Sequence, residues 1–183
     1  MDTPPVCHRK RPADPSPRAV IESTYASAVT RSVPLELSVD IRPAVATDLP
    51  ALSTWSGPAP TVFAPALDSD DRVLLVALAN GRFPIGHVLV DLTGIVSHLM
   101  VLAGFRDQGL GTALMSEAER AVTARGGGHV TLKVEKANDA AIRLYERLGY
   151  TRVAESSDTW DDLMPDGSVA AVDHPSWVMR KEL

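Results

Sequence analysis

The sequence predicts an α+β fold (mixed α/β) in which a largely antiparallel sheet of about seven strands holds one central parallel pair and is flanked by about four helices. Three observations lead to this class. Three successive strand patterns are joined by short turns, a strand–helix–strand unit follows them, and two more strand patterns close the chain. Hairpin turns make neighbouring strands antiparallel, whereas a crossover through a helix makes them parallel with a right-handed connection.

The composition indicates one ordinary globular domain. The chain has 183 residues, of which 45% are apolar, and a net charge of −5. This charge argues against nucleic acid as a partner. No apolar run reaches eighteen residues and no signal-peptide core lies near Met1, so we expect a cytoplasmic protein with no membrane partner. The single Cys7 and the lack of any Cys/His cluster at ligand spacing predict neither an intrachain disulfide nor a metal site.

The first 34 residues differ from the rest. Six prolines and five scattered basic side chains interrupt every apolar period there. We therefore expect residues 1–34 to form a disordered Pro-rich extension and residues 35–183 to form the domain.

The domain begins with an alternating strand pattern over residues 35–42, ended by Pro43. Thr47 is expected to cap a helix over residues 48–55. The Gly- and Pro-rich stretch after it predicts a loop with one turn of helix at residues 63–67.

Three antiparallel strands are then predicted over residues 72–80, 83–91 and 95–101. Asn80-Gly81 is the favoured two-residue hairpin turn, because both of its positions take positive φ. Gly86 marks a bulge or bend inside the second of these strands.

The second half contains the crossover. Apolar side chains at helical spacing predict a helix over residues 109–124, followed by a strand at 129–135 and a helix at 139–148. The last two strands are expected at residues 150–155 and 176–181 as an antiparallel pair, joined by a long acidic loop.

A Gly-rich turn opens the first of these two helices. Arg106, Gly109 and Gly111 follow an apolar strand, and such a turn aims several backbone N–H groups at one spot, where the helix dipole favours an anion. A P-loop would need a Lys after the last Gly, and a dinucleotide fingerprint would need a third Gly where Leu114 stands. Arg-x-x-Gly-x-Gly remains, although a Gly pair at such a turn can also serve tight packing alone.

A second motif follows about thirty residues later. It comprises Asn138, Ala141, Ile142, Tyr145, Gly149 and Tyr150. Together the two motifs resemble the GNAT superfamily of acetyl-CoA-dependent N-acetyltransferases, and the resemblance covers about residues 37–183. It implies a GNAT fold and transfer of an acetyl group to a primary amine by direct attack in a ternary complex. The alternative is a non-catalytic acyl-CoA-binding or regulatory module of the same fold.

The resemblance also implies which residues bind acetyl-CoA. The strand before the turn would pair with the pantetheine arm, the turn would hold the pyrophosphate, and an amide side chain would contact the arm. The matching positions are Leu99, Met100, Val101, Arg106, Asp107, Gln108, Gly109, Leu110, Gly111, Thr112 and Asn138. Asp107 and the Ala103-Gly104 pair depart from the family pattern and are expected to weaken this binding without abolishing it.

Tyr145 is the predicted general acid. Its reference pKa of ~10 keeps the phenol protonated at neutral pH, so it can donate a proton to a departing thiolate. Asn138 lies seven residues earlier, about two helical turns, so both side chains can face one ligand. The alternative is a core tyrosine whose hydroxyl is satisfied by the backbone.

The general base is less well defined. His98 is the first candidate, since histidine titrates in the useful range and strand alternation places it on the face of Met100, opposite Leu99 and Val101. The family often has a glutamate in this region, but this chain has none between Leu92 and Gly109. Further candidates are His174, Asp173, Asp91 and a water relay, whereas His8, His87 and His129 are interpreted as surface or structural residues.

The acceptor stays open at this point. A small-molecule amine and a protein amino group both fit, and the acidic stretch at residues 158–166 favours a cation only if it is more than solvated surface. Dimers are common in the family, so a homodimer also stays open.

Overall fold

The computed structural model describes residues 37–55, 59–163 and 167–183, so the predicted extension lies outside the described residues. Seven strands form one sheet in the order β1-β2-β3-β4-β5-β7-β6. The strands are β1 Val39–Pro43, β2 Arg72–Ala79, β3 Phe83–Asp91, β4 Ile95–Val101, β5 His129–Glu135, β6 Thr151–Leu163 and β7 Val169–Glu182. Only β4 and β5 pair in parallel. The predicted fold class is confirmed, including the parallel central pair.

Four α-helices cover the sheet within the described residues. They are α1 Leu49–Ser53, α2 Ala59–Leu67, α3 Leu110–Ala124 and α4 Asp139–Arg147. Leu52 of α1 and Phe63 of α2 pack with Leu74 and Val76 in one apolar core. A larger core joins the other face of the sheet to α3 and α4. Helices on opposite faces explain why most of β2 and β3 is buried on both sides.

The hairpin between β2 and β3 follows its sequence signals. Asn80 and Gly81 have φ values of 50° and 66°, as the predicted turn requires. Ala77 pairs with Gly86, whereas Leu78 pairs with Pro84, so β3 holds one extra residue beside Gly86. The predicted bulge is therefore confirmed.

The start of the domain corrects two expectations. Thr47 does not cap a helix; instead the Asp48 carboxylate accepts the Val45 N–H at 2.8 Å and two bonds from Arg42 at 2.8 and 3.0 Å. This arrangement forms a short 3-10 turn before a shorter α1. α2 is longer than the predicted single turn and contains Pro65, because burial of Phe63 outweighs the lost backbone bond.

The acidic stretch after residue 155 is the largest correction. Residues 156–175 were expected to form a loop, but most of them belong to the β6–β7 hairpin, paired from Thr151↔Arg180 to Leu163↔Val169. Polar composition lowers intrinsic strand propensity. β6 is the edge strand, however, so its polar side chains can stay in water while its backbone pairs with β7.

A polar network ties α3 to the far end of the sheet. The hydroxyl of Tyr150, a residue only 2% exposed, donates to the Glu119 carboxylate at 3.0 Å. Lys181 donates to the other Glu119 oxygen at 2.7 Å. Burial and the charge of Glu119 raise the pKa of Tyr150. One carboxylate therefore satisfies two partners from β7 and the β6 entry.

Replacing Glu119 by Ala should lower the free energy of unfolding by about 2–3 kcal/mol, because a buried hydroxyl and a half-buried ammonium lose their partner. Urea denaturation measures this. Glu117→Ala is the control, since Glu117 forms only a surface pair with Arg120 on the same helix and should cost below ~0.5 kcal/mol. Equal losses in the two variants would contradict the role given to Glu119.

Candidate active site

The site begins where β4 parts from β5. The two strands pair only at Ile95↔Thr131 and Val96↔Leu132. Beyond Val96 they separate, and a cavity of about 320 Å³ opens between them. A bulge in β4 accompanies the separation, because His98 has a φ of 52° and the register against β3 shifts there. The β4 edge that faces β5 therefore lacks a strand partner.

The turn after β4 presents unpaired amides. Asp107 and Gly109 have φ values of 60° and 81°, and left-handed residues alternating with right-handed ones turn successive N–H groups toward one side. Within the described part of the chain, no N–H of residues 107–112 donates a hydrogen bond to the protein. These amides lie at the N-terminus of α3, so the turn is an anion cradle by geometry and by helix dipole.

Side chains around the cradle have separate tasks. Arg106 donates from Nε to the Val101 carbonyl at 3.0 Å, which fixes its guanidinium beside the end of β4. Gln108 donates to the Gly104 carbonyl at 3.3 Å. A Cβ on Gly111 would lie 3.1 Å from Leu144, so this glycine allows α3 to approach α4. Asp107 occupies a left-handed position, a conformation that Asp tolerates better than most residues.

A second cavity of about 400 Å³ continues from the cradle along α4. It shares Leu99, Asn138, Ala141 and Tyr145 with the cavity between β4 and β5. The two cavities are therefore one continuous cleft. All of the predicted cofactor-binding residues except Gln108 line this cleft. They include Met100, although it lies on the same face of the sheet as His87.

Asn138 has a structural task besides its place in the cleft. Its Oδ1 accepts the Ala141 N–H at 3.1 Å and so caps α4. This leaves the amide nitrogen for contacts inside the cleft.

Tyr145 lines both halves of the cleft. The residue is only 7% exposed, and its ring packs at 61° against Tyr150 with centroids 5.8 Å apart. Its hydroxyl has no hydrogen-bond partner among the described residues. Burial raises the pKa of Tyr145 to about 12, so the phenol is protonated at neutral pH. The Tyr145 oxygen is not one of the fully buried atoms that lack a partner, so it is open to a ligand in the cleft.

His98 lies on the opposite face of the sheet, on the rim of the same cavity. Its ring meets Phe63 edge-on at 5.6 Å, and its Nδ1 is 3.0 Å from the Ser97 hydroxyl. Partial burial lowers the pKa of His98. His87 stands behind it, 1% exposed, with its ring 4.9 Å from Phe63 and 5.2 Å from Trp55. His87, which was interpreted from the sequence as a surface or structural residue, is thus buried.

The other base candidates lie elsewhere or are engaged. Asp91 sits at the far end of β3, where it accepts hydrogen bonds from Thr93, and these hold its pKa low. Asp173 accepts the Thr159 hydroxyl at 2.6 Å. His174 Nδ1 lies 3.8 Å from Glu135.

Four charged residues of this cleft were not predicted as site residues: Lys133, Glu135, Arg147 and Asp158, the last of which was considered only as part of the acidic stretch at residues 158–166. Lys133 donates to both oxygens of Asp158 at 2.9 and 3.1 Å. The alternation of β5 places Lys133 and Glu135 on one face, so that signal was present in the sequence. Asp158 was hidden by the expectation of a loop.

Most of the residues that form this cleft lie in a part of the chain that matches a known protein family. The sequence profile of the Acetyltransferase (GNAT) family matches residues 40–150, more than half of the chain. This chain belongs to the GNAT acetyltransferase family. The matched region includes both motifs and the whole cleft except the β6–β7 hairpin, and the resemblance seen in the sequence is confirmed.

Two GNAT relatives show how far the similarity extends. An acetyltransferase of Pectobacterium atrosepticum is 37% identical over 90 residues, which cover 48% of this chain and 63% of that protein. N-alpha-acetyltransferase 30 of Schizosaccharomyces pombe is 35% identical over 85 residues, which cover 42% of this chain and 56% of that protein. The chain thus spans less than two thirds of the length of these relatives.

Solved GNAT structures share the fold. The ribosomal-protein-S18-alanine N-acetyltransferase of Escherichia coli aligns with a TM-score of 0.64 at 22% identity, covering 79% of this chain and 94% of that one. Arabidopsis thaliana NAA60, solved with acetyl-CoA, aligns with a TM-score of 0.63 at 20% identity, covering 80% and 99%. At such identities the likeness concerns the fold.

Among the described residues, no helix combines the length and the apolarity that crossing a membrane requires. No three of the described His, Cys, Asp and Glu side chains group in a way that could hold a metal ion.

Folding stability should depend on pH through His87. Burial, with a smaller effect of the His98 charge, lowers the pKa of His87 from 6.5 to about 4. Between these two pKa values the unfolded chain binds a proton at His87 and the folded chain does not. The free energy of unfolding is therefore highest above the pKa of the unfolded state, and it falls as the pH drops toward the pKa of the folded state. We expect a loss of about 2–3 kcal/mol between about pH 7 and pH 4 from this residue.

Urea titrations of the wild type and of His87→Phe across this range measure the effect. Phe suits a site between two aromatic rings and has no proton to bind. The variant should lose this part of the pH dependence, and an unchanged slope would show that His87 is not the titrating group.

Proposed function

We propose that the chain is an acetyl-CoA-dependent N-acetyltransferase that moves an acetyl group to a primary amine, with both substrates bound together. The observation that carries the proposal is the single cleft. It joins a cradle of unpaired amides to a protonated phenol on one face of the sheet, and it opens through the gap between β4 and β5 to a histidine on the other face. Donor and acceptor can therefore approach one point from opposite sides.

The cradle fits a pyrophosphate. The N–H groups of residues 107–112 can donate to phosphate oxygens, and Arg106 adds a fixed positive charge. The free β4 edge at Leu99–Val101 can pair with the amide groups of a pantetheine arm, while the Asn138 amide contacts it. When bound, acetyl-CoA supplies a thioester whose acyl carbon is open to attack.

Tyr145 is the proposed general acid. Its phenol is protonated, lacks an internal partner and lines both halves of the cleft. As the amine nitrogen bonds to the acyl carbon and the carbon–sulfur bond breaks, the Tyr145 hydroxyl can give its proton to the departing thiolate. Its raised pKa ensures that the phenol carries this proton at neutral pH.

The absence of a cysteine from the described lining of the cleft supports direct attack. The only cysteine, Cys7, lies outside the described residues, and the described lining of the cleft offers no cysteine for an acyl-enzyme. His98 is the proposed general base. Its lowered pKa keeps the ring neutral at pH 7 and able to accept the amine proton, directly or through water.

The acceptor class is a primary amine on a small molecule or a protein. The names of the solved structures include both kinds: an alanine of ribosomal protein S18, and nourseothricin. Release of free thiol from acetyl-CoA in the presence of an amine panel tests the function. Tight binding of acetyl-CoA without thiol release would favour the non-catalytic module.

Tyr145→Phe should lower kcat by roughly 10²-fold or more, because the leaving thiolate loses its proton donor. The affinity for acetyl-CoA, measured by calorimetry, should stay within about twofold. Tyr150→Phe is the matched control: the same atom is removed from the neighbouring ring, whose hydroxyl contacts Glu119 and not the cleft. Equal activity of the wild type and Tyr145→Phe would refute the acid role.

Gly109→Ala should weaken acetyl-CoA binding by about tenfold, because a Cβ disfavours the left-handed conformation that aims the cradle amides by about 1–2 kcal/mol. Gly104→Ala is the matched control. Both glycines have open space around a Cβ, but only Gly109 has a positive φ. If the two variants bind acetyl-CoA equally well, backbone geometry at residue 109 does not form the anion site.

A further inference from the structure

The charges that line the gap between β4 and β5 leave one carboxylate uncompensated. Lys133 and Asp158 neutralise each other through two hydrogen bonds. The Glu135 carboxylate accepts no hydrogen bond from the described residues, and the His174 Nδ1, which pairs with it as a cation only when the ring is protonated, lies 3.8 Å away. The Glu135 side chain is 47% exposed, so it stands at the mouth of the cavity and is accessible to a ligand.

The two lysines beside Glu135 are engaged elsewhere. Lys133 pairs with Asp158, and Lys136 pairs with Glu155. On the neighbouring strand β7, the uncharged Ser176 lies opposite Glu135. The Glu135 carboxylate is therefore available to attract a cationic ligand.

The same cavity contains an independent ligand-directed group. The hydroxyl of Tyr145 belongs to a residue that is more than nine-tenths buried, faces this cavity and has no partner among the described residues. The reacting nitrogen of an acceptor must come near that hydroxyl. Glu135 lines the same space, and so it is placed to contact another part of the acceptor.

Glu135 is unsuited to hold the reacting nitrogen itself. A carboxylate beside an ammonium stabilises the charged form and raises its pKa, whereas attack requires the neutral amine. A second cationic group on the acceptor gains from the same contact without this penalty. A cavity of about 320 Å³ also lies in the size range of small-molecule sites.

We propose that the acceptor is a small amine with a second positive charge, a linear diamine or polyamine, and that Glu135 binds its distal ammonium. This inference rests on the function proposed above. It assigns Glu135 to specificity: the charge of Glu135 selects dications over monocations of equal length, and it leaves the chemical step unchanged.

The test compares n-butylamine with 1,4-diaminobutane, and longer diamines with their monoamines, as acceptors for the full chain. In the wild type the diamine should have the lower KM. Glu135→Gln should raise the KM of the diamine by roughly threefold to fivefold, as expected for a half-exposed ion pair, with kcat and the monoamine KM within about twofold. Glu182→Gln is the matched control, because it removes an equal charge from β7 beside His129, at the end of β5 opposite to Glu135.

A binding measurement separates this inference from the proposed function. Calorimetry of 1,4-diaminobutane with the protein saturated by CoA needs no turnover, and affinity lost in Glu135→Gln supports the inference. Equal use of diamine and monoamine, or an unchanged diamine KM in the variant, overturns it and leaves the acetyltransferase proposal intact. Glu135-dependent binding without thiol release from any amine overturns the enzyme proposal instead.

Discussion

This structure depends on one constraint: β4 and β5 pair through two residues on each strand and then separate. β4 and β5 must pair at Ile95 and Val96 to keep one sheet, and they must separate afterwards to expose the edge of β4. The bulge at His98 performs this change of direction. If β4 and β5 paired along their whole length, more backbone N–H and C=O groups would be hydrogen-bonded. Such pairing would also close the passage between the two faces and bury Tyr145 in packed hydrocarbon.

The separation has an electrostatic consequence. Groups around the gap lie in a partly dry environment, which favours their neutral forms. Tyr145 keeps its proton, with a pKa raised to about 12, while His87 and His98 lose theirs more readily. The proposed donor and acceptor of protons thus lie on opposite faces of the sheet, both uncharged at neutral pH. The charged residues that line the cleft are Arg106, Asp107 and Arg147 around the cradle, and Lys133, Glu135 and Asp158 in the gap.

The sequence predicted most of the fold, and the structure brings all of the predicted cofactor-binding residues except Gln108 to one cleft. The strands β2 to β5 and the helices α3 and α4 were predicted to within a residue or so, because alternation, helical spacing and turn residues all agreed locally. Thr47 failed as a cap because the Asp48 carboxylate, held by Arg42, accepts the Val45 N–H and forms a 3-10 turn that has Thr47 inside it. The β6–β7 hairpin was missed because its stability comes from pairing between distant segments, which an Asp-rich segment does not reveal. Asp158 was lost with it.

The two halves of the cleft were predictable to different degrees for a physical reason. The cradle is made of backbone amides, so its signature is conformational: a glycine where φ must be positive and a helix that begins at a fixed point. Such requirements are written in consecutive residues. The acceptor half is made of side chains from β4, β5 and β6 that meet only after the sheet has formed. Lys133 and Asp158 neutralise each other, and the charge of Glu135 is left. Which charge is left depends on which side chains the fold brings together. The specificity proposed for this chain therefore depends on tertiary contacts around one exposed carboxylate.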